Sequence, residues 1–134
     1  MAKTIIQNVT FKVSPQVLYG IYTNAKKHAA AIDSIASLDP KVGGNFSAFG
    51  MLKGKFLYLL KNKIIVQTWR AKSWKKKDPD SILVIKLHSM KGKTRLELVH
   101  AGVPDHDFKG VTQGWPKYYW KPWKRYLGEK EMKK

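Results

Sequence analysis

The chain has 134 residues, of which 43% are hydrophobic and 26% charged, and its formal net charge is +17. This length and composition predict one globular domain, residues 1–134, that is large enough to bury a core of its own. Cysteine is absent, which excludes disulfide bonds and thiolate chemistry and fits a reducing compartment.

No targeting or membrane segment is expected. The N-terminal sequence "MAKTIIQNVTFKV" alternates between polar and apolar residues and lacks the continuous apolar stretch of a signal peptide. The longest apolar run, "FLYLL", is far too short to cross a bilayer. We therefore expect a cytoplasmic protein without membrane insertion.

The chain opens with a predicted strand, from Lys3 to Val13, whose odd positions are mostly apolar. Ser14 and Pro15 then predict the start of a helix, with Ser14 as its cap. Its apolar face is expected to hold Val17, Leu18, Ile21 and Tyr22. Asn24 is predicted to cap a second short helix over "AKKHAAAI", and "DSIASLDP" is predicted to be a loop. Both helices are too short to be stable alone, so they must pack on a sheet.

The middle of the chain is predicted to form further antiparallel strands. The segments are "VGGNFSAFG", "KFLYLL", "IIVQTWRA", "SILVIKLHSM" and "TRLELVH". Gly43 and Gly44 open the first of them and predict a bulge or a close backbone approach. Asn62 is predicted to take the left-handed conformation in a hairpin turn.

A long aromatic helix is predicted from Gly114 to Leu127, over "GWPKYYWKPWKRYL". Pro116 suits its first turn, whereas Pro122 predicts a bend near Lys121 or a local widening of the helix. Its aromatic face is broad, with one stripe of Trp115, Tyr119, Pro122 and Tyr126 and another of Trp120, Trp123 and Leu127. The whole pattern predicts an α+β fold in which this helix covers one face of an antiparallel sheet.

Four segments, in this order, resemble the family of activators of heat-shock protein 90 ATPase, in its C-terminal-domain-like branch. They are "KVGGNFSAFG", "IIVQTWRAKSW", "TRLELVHAGVP" and "GWPKYYWKPWKRYL". That branch belongs to the START-like (SRPBCC) helix-grip superfamily. The resemblance implies a curved antiparallel sheet that grips a long C-terminal helix, with two short helices after the first strand.

The resemblance also implies a range of functions. Members of the superfamily bind lipids and other hydrophobic molecules, and some catalyse cyclisations or hydroxylations. The eukaryotic activators carry a separate N-terminal domain that docks on the chaperone, and a chain of 134 residues is not expected to contain it.

Eight residues are predicted to lie between the sheet and the C-terminal helix. They are Phe46, Phe49, Phe56, Trp69, His100, Trp115, Tyr119 and Trp123. Large rings can leave an apolar pocket with a few polar groups, which is a common kind of ligand site. Alternatively they simply fill the core, with His100 as a hydrogen-bonded core histidine, and the sequence leaves both readings open.

No enzymatic activity, cofactor or metal is expected. None of the hydrolase, protease or nucleotide-binding motifs occurs, and the four histidines fall on different elements. The segment "DHD" at Asp105 to Asp107 could hold a hard cation with His100, but a polar loop is the preferred interpretation.

The basic run "RAKSWKKK" contains Arg70, Lys72, Lys75, Lys76 and Lys77. Here and in "KYYWKPWKRY", cations alternate with aromatic residues, which is typical of single-strand nucleic-acid platforms. Because the aromatic residues are needed for packing, we interpret the cations as a solvated surface with weak, unspecific affinity for nucleic acid.

The sequence therefore predicts a non-enzymatic binding module. Its expected ligand is a hydrophobic small molecule between sheet and helix. The first alternative is a co-chaperone-like module that binds the 90 kDa heat-shock protein or stimulates its ATPase, and the second is a basic nucleic-acid-binding protein.

Overall fold

The computed structural model describes residues 2–128, so the two ends of the predicted domain, residue 1 and residues 129–134, lie outside the described residues. The elements follow in the order β1 (Ala2–Phe11), α1 (Pro15–Thr23), α2 (Ala25–Ile32), β2 (Ala36–Leu38), β3 (Asn45–Ala48), β4 (Leu52–Leu60), β5 (Ile64–Ala71), β6 (Ser81–Met90), β7 (Lys93–Pro104), a 3-10 turn (Asp105–Asp107), α3 (Phe108–Gly114), a π-helical segment (Trp115–Trp120) and α4 (Lys121–Tyr126).

The strands form a seven-stranded antiparallel sheet in the order β1-β7-β6-β5-β4-β3-β2. Alternate residues of the strands point to an inner face, where they join one hydrophobic cluster with the helices. The inward residues of β6, for example, are Ser81, Leu83, Ile85 and Leu87, as the alternation predicts. The α+β helix-grip fold is confirmed.

Both short helices begin where the sequence predicts, and α2 also ends there. Asn24 caps α2, because its side chain accepts a hydrogen bond from the backbone N–H of Lys27 at 3.0 Å. Ser14 is the N-cap residue of α1, as predicted, although its side chain makes no capping hydrogen bond. The prediction that Val17 lies on the apolar face of α1 is wrong, since Val17 is 41% exposed while Leu18 and Ile21 are buried.

The predicted loop "DSIASLDP" contains a short edge strand, so this prediction is wrong. β2 pairs with β3 in antiparallel register, with Ala36 opposite Ala48 and Leu38 opposite Phe46. Three residues are too few to show a period of two, which is why the pattern gave no strand.

Gly43 and Gly44 lie where two backbones approach closely, as predicted. The N–H of Gly43 donates to the carbonyl of Phe56 at 2.8 Å, and the N–H of Phe56 donates to the carbonyl of Gly44 at 3.0 Å. A Cβ on Gly44 would lie 2.1 Å from the carbonyl oxygen of Asp39, so no other residue fits there. The regular part of β3 consequently begins at Asn45 rather than in the glycine pair.

The C-terminal helix begins at Phe108 and continues through α3, the π-helical segment and α4. The predicted start at Gly114 is therefore wrong, and Pro116 lies inside the helix. The widening that Pro122 predicts is confirmed: the N–H of Lys121 donates to the carbonyl of Pro116, five residues back.

A side chain of β1 compensates for the missing N–H of Pro116. That N–H would have bonded the carbonyl of Thr112, which instead accepts from Nε2 of Gln7 at 2.9 Å. The Oε1 of Gln7 accepts from Nε1 of Trp120, also at 2.9 Å. Gln7 thus attaches the interrupted helix to the edge strand of the sheet.

The C-terminal helix covers the inner face of the sheet with Val111, Trp115, Tyr119, Trp120 and Trp123, all of which are buried. Its predicted aromatic face is narrower than expected, since Tyr126 is 45% exposed. Within residues 2–128, no helix is long and apolar enough to cross a membrane.

Candidate functional site

A cavity of about 320 Å³ lies between the C-terminal helix and the ends of β4 and β5. Four of the eight predicted residues form part of its wall: Phe49, Trp69, Trp115 and Tyr119. The rest of the wall was not predicted from the sequence and consists of Met51, Leu52, Ala71, Ser73, Asp107, Gly110, Val111, Gly114 and Tyr118. The wall is mostly apolar, which suits a hydrophobic ligand.

The other four predicted residues lie in the solid core rather than on the cavity wall. Phe46, Phe56, His100 and Trp123 are each at most 2% exposed. The ring of Trp123, for example, packs 5.8 Å from that of Phe11. Each of the two interpretations, cavity wall and filled core, therefore holds for four of the eight predicted residues.

Contacts between tilted aromatic rings hold the cavity wall together. The ring centroids of Trp115 and Tyr119 are 4.9 Å apart, and those of Trp69 and Trp115 are 6.2 Å apart. Such contacts hold rings in defined orientations. The wall is consequently built from side chains that restrain one another.

Phe49 occupies an uncommon backbone conformation at this site, with φ of 60°. It precedes Gly50, with φ of 70°, in a tight turn closed by a 3.1 Å bond from the N–H of Met51 to the carbonyl of Ala48. A bulky residue with positive φ costs about 1 to 3 kcal/mol. In return, the Phe49 ring packs 6.0 Å from Tyr119 and joins the cavity wall.

A buried polar network around His100 positions Trp115. Ser81 donates its hydroxyl proton to the carbonyl of Trp69 at 2.5 Å, so Oγ of Ser81 accepts from Nε2–H of His100 at 2.8 Å. The Nε1–H of Trp115 donates to Nδ1 of His100 at 3.2 Å. Burial lowers the pKa of His100 to about 3, so the ring is neutral and structural.

A second network, around His28, positions Tyr119. Nδ1–H of His28 donates to the carbonyl of Tyr22 at 2.9 Å, and its Nε2 accepts from the hydroxyl of Tyr119 at 2.9 Å. Burial lowers the pKa of His28 to about 4, which keeps this ring neutral as well. His28 was not predicted from the sequence, because its partner Tyr119 lies 91 residues away and no local pattern links them.

The segment "DHD" sends its side chains to separate partners. Asp105 lies 3.1 Å from the amine of Lys3, and His106 lies 2.8 Å from Asp78. Asp107 accepts a 2.7 Å hydrogen bond from Nε1 of Trp74 and is the carboxylate on the cavity wall. Asp107 therefore places one carboxylate on a mostly apolar wall.

One cation of the basic run, Arg70, makes hydrogen bonds within the loop that follows β5. Arg70 donates to Asp80 at 2.8 Å and to the backbone carbonyls of Asp78 and Lys75 at 2.9 Å. Trp74, within the run, is buried and cannot stack on a base. The exposed members of the run are Lys72, Lys75, Lys76 and Lys77. This arrangement gives cations without a stacking platform.

The family described as "Activator of Hsp90 ATPase homolog 1-like protein" matches residues 12–128. The human "Activator of 90 kDa heat shock protein ATPase homolog 1" is 32% identical over 89% of this chain and 35% of that protein. The Dictyostelium discoideum "Activator of 90 kDa heat shock protein ATPase homolog" is 30% identical over 84% of this chain and 30% of that protein. The chain therefore spans about a third of the length of these curated relatives.

Solved structures share the fold over most of the chain. An HSP90 activator from Plasmodium falciparum is 27% identical, with a TM-score of 0.87 over 96% of this chain and 99% of that chain. The Mesorhizobium loti protein MLL2253 has a TM-score of 0.81 at 20% identity, covering 97% of this chain and 100% of that chain. The second likeness shows the fold alone.

Proposed function

Since the chain belongs to the activator of Hsp90 ATPase homolog 1-like family, we propose that it binds the 90 kDa heat-shock protein and stimulates its ATPase. One observation carries this proposal: a solved HSP90 activator matches this chain over 99% of its own length. A chain of this extent therefore has a counterpart described as an activator. The human and Dictyostelium relatives support the same function, although the match covers only part of their length.

The test is the ATPase rate of the purified chaperone, measured against increasing amounts of the purified chain. The proposal expects a rate that rises and saturates, because stimulation follows occupancy of a binding site. A control with a specific inhibitor of the chaperone separates its ATPase from contaminating activity. A rate that stays flat at saturating amounts of folded chain would reject this function.

A second function is supported by the cavity: binding of a hydrophobic small molecule between the sheet and the C-terminal helix. The volume of about 320 Å³ lies at the small end of the range for ligand sites. The wall offers the rings of Phe49, Trp69, Trp115 and Tyr119, and Asp107 supplies one carboxylate. A ligand with an apolar body and one hydrogen-bond donor suits this wall.

Gly114 allows a direct test of cavity binding. It lies on the wall with φ of −68°, and a Cβ there would meet only Tyr118, at 3.5 Å. Gly114→Met should therefore fill the cavity without disturbing the backbone. Gly20→Met is the matched control, because Gly20 lies within α1 and its Cβ would have nothing within 4 Å.

Tryptophan emission should report the binding, since Trp69 and Trp115 lie on the wall. Titration with fatty acids and flavonoid-like aromatic compounds is expected to shift the emission saturably for at least one class. Gly114→Met should abolish this shift and Gly20→Met should preserve it. Saturable binding that survives in Gly114→Met, or no saturable binder for the wild type, would count against the cavity as a ligand site.

A further inference from the structure

An apolar row crosses the outer face of the sheet, opposite the helices. The register aligns one outward residue from each of five adjacent strands, and these residues are Ile6, Val99, Val84, Val66 and Tyr58. The two ends of the row are the most open, with Ile6 65% exposed and Tyr58 49% exposed. None of the five residues belongs to the hydrophobic core cluster.

Neighbouring outward positions widen this row. On one side, Leu60 pairs with Ile64, and on the other side Ile82 pairs with Ala101. Leu60 is 41% exposed and Ile82 is 37% exposed. Since an outward face in contact with water normally carries polar residues, a continuous apolar band across it marks an interaction surface. We call this band, from Ile6 to Tyr58 with its neighbours, the outer band.

The outer band is bordered by cations. The outward positions of the described strands carry Lys53, Lys55, Lys86, Lys93 and Arg95, together with Arg70, which is already paired with Asp80 at 2.8 Å. The acid at these positions is Glu97, which already bonds His88 at 2.9 Å. A second copy of the chain would set like charges against one another, on top of a net charge of +17. The border instead complements a partner with acidic groups.

We propose that the outer band docks a protein surface that is apolar at its centre and acidic at its edge. The inference rests on the proposed function for the choice of partner, which is then the 90 kDa heat-shock protein. The cavity lies on the other side of the sheet, so a partner docked on the outer band does not cover it. Apolar contacts at the centre supply most of the affinity, and the cations add attraction that weakens with salt.

The test compares two double variants of the full chain in the ATPase assay. Ile6→Thr with Tyr58→Thr removes both ends of the outer band while keeping side chains suited to strands. Ile35→Thr with Tyr126→Thr is the matched control, because these residues are 69% and 45% exposed and lie outside the band. Urea unfolding of both variants checks that they are folded.

The band variant should need about tenfold more protein for half-maximal stimulation, whereas the control should stay within about twofold of the wild type. Replacing Lys53, Lys55 and Lys86 by Gln should weaken stimulation more than replacing Lys26, Lys27 and Lys121. Equal stimulation by the band variant and the wild type overturns the docking surface and leaves the proposed function intact.

Other outcomes are also decisive. Absence of stimulation by the wild type overturns the proposed function, and this inference with it. Binding to vesicles of anionic phospholipid or to duplex DNA, with a loss confined to the band variant and no effect on stimulation, replaces the protein partner with a lipid or nucleic acid. Each of these results rejects the docking surface, and the stimulation by the wild type shows whether the proposed function fails with it.

Discussion

Tyr119 connects the cavity wall to the core. Its ring lines the cavity, while its hydroxyl donates to His28 inside the protein. Burial raises the pKa of Tyr119 far above its ordinary value, so the hydroxyl stays protonated and available as a donor. The residue therefore belongs to both the core and the cavity wall, and these two contributions can be separated by substitution.

Removal of the Tyr119 hydroxyl should destabilise the protein without closing the cavity. Tyr119→Phe leaves Nε2 of His28 buried without a donor, which should cost about 1 to 3 kcal/mol of unfolding free energy. Tyr119→Ala should cost about 3 to 5 kcal/mol, because it also removes the ring. Chemical unfolding measures both. Tyr126→Phe, at a 45% exposed position, is the control and should be neutral; an equal loss there would contradict the assignment.

The two buried histidines should make stability fall in mild acid. The unfolded chain binds a proton on each ring near pH 6.5, whereas folded His28 and His100 do so only near pH 4 and pH 3. The unfolded state thus binds more protons below pH 6.5, and stability drops by about 1.4 kcal/mol per pH unit for each ring. Urea unfolding at about pH 7, 6 and 5 should show this slope, and His100→Gln should reduce it by about half. An unchanged slope in that variant would contradict the neutral, buried state of His100.

The C-terminal helix depends on its attachment to β1. Gln7 satisfies the carbonyl of Thr112 and the indole of Trp120 at once. Gln7→Leu should therefore cost about 2 to 3 kcal/mol of unfolding free energy, since it leaves two polar groups without partners. Gln113→Leu is the control on the same helix, because Gln113 is exposed. A loss below about 0.5 kcal/mol for Gln7→Leu would mean that water replaces the amide.

The periodicity of apolar residues, together with capping and turn residues, predicted most elements of the fold. Alternation identified the inward residues of β6, and Asn24 marked the start of α2. The start of the C-terminal helix was not predictable in the same way. Pro116 is typical of a first turn, and no local pattern shows that the distant Gln7 bonds the carbonyl of Thr112 that the missing N–H leaves free.

The candidate site was predictable in part for a related reason. Trp69 and Trp115 were found because large rings on an inward face must lie between sheet and helix. Gly110 and Gly114 were missed, since a wall formed by the absence of a side chain leaves no signal in a periodic pattern. His28 was missed because hydrogen bonds between distant segments are set by tertiary packing.

For the whole molecule, the net charge of +17 is expected to give only unspecific affinity for nucleic acid. Replacing Lys75, Lys76 and Lys77 by Gln should weaken binding to duplex DNA no more than replacing Lys26, Lys27 and Lys121. Both losses should disappear as salt rises, because counterion release supplies the affinity. Fluorescence anisotropy at two salt concentrations measures this. A loss confined to the first set would indicate a focused site.

We propose that this module acts on the 90 kDa heat-shock protein through the outer band. Carbodiimide cross-linking of the stimulated complex tests it most directly, since this reagent joins lysine amines to carboxylates in direct contact. Mass spectrometry should find cross-links from Lys53, Lys55 and Lys86 to carboxylates of the chaperone. Cross-links confined to the helical side, at Lys26, Lys27 and Lys121, would exclude the outer band as the docking surface.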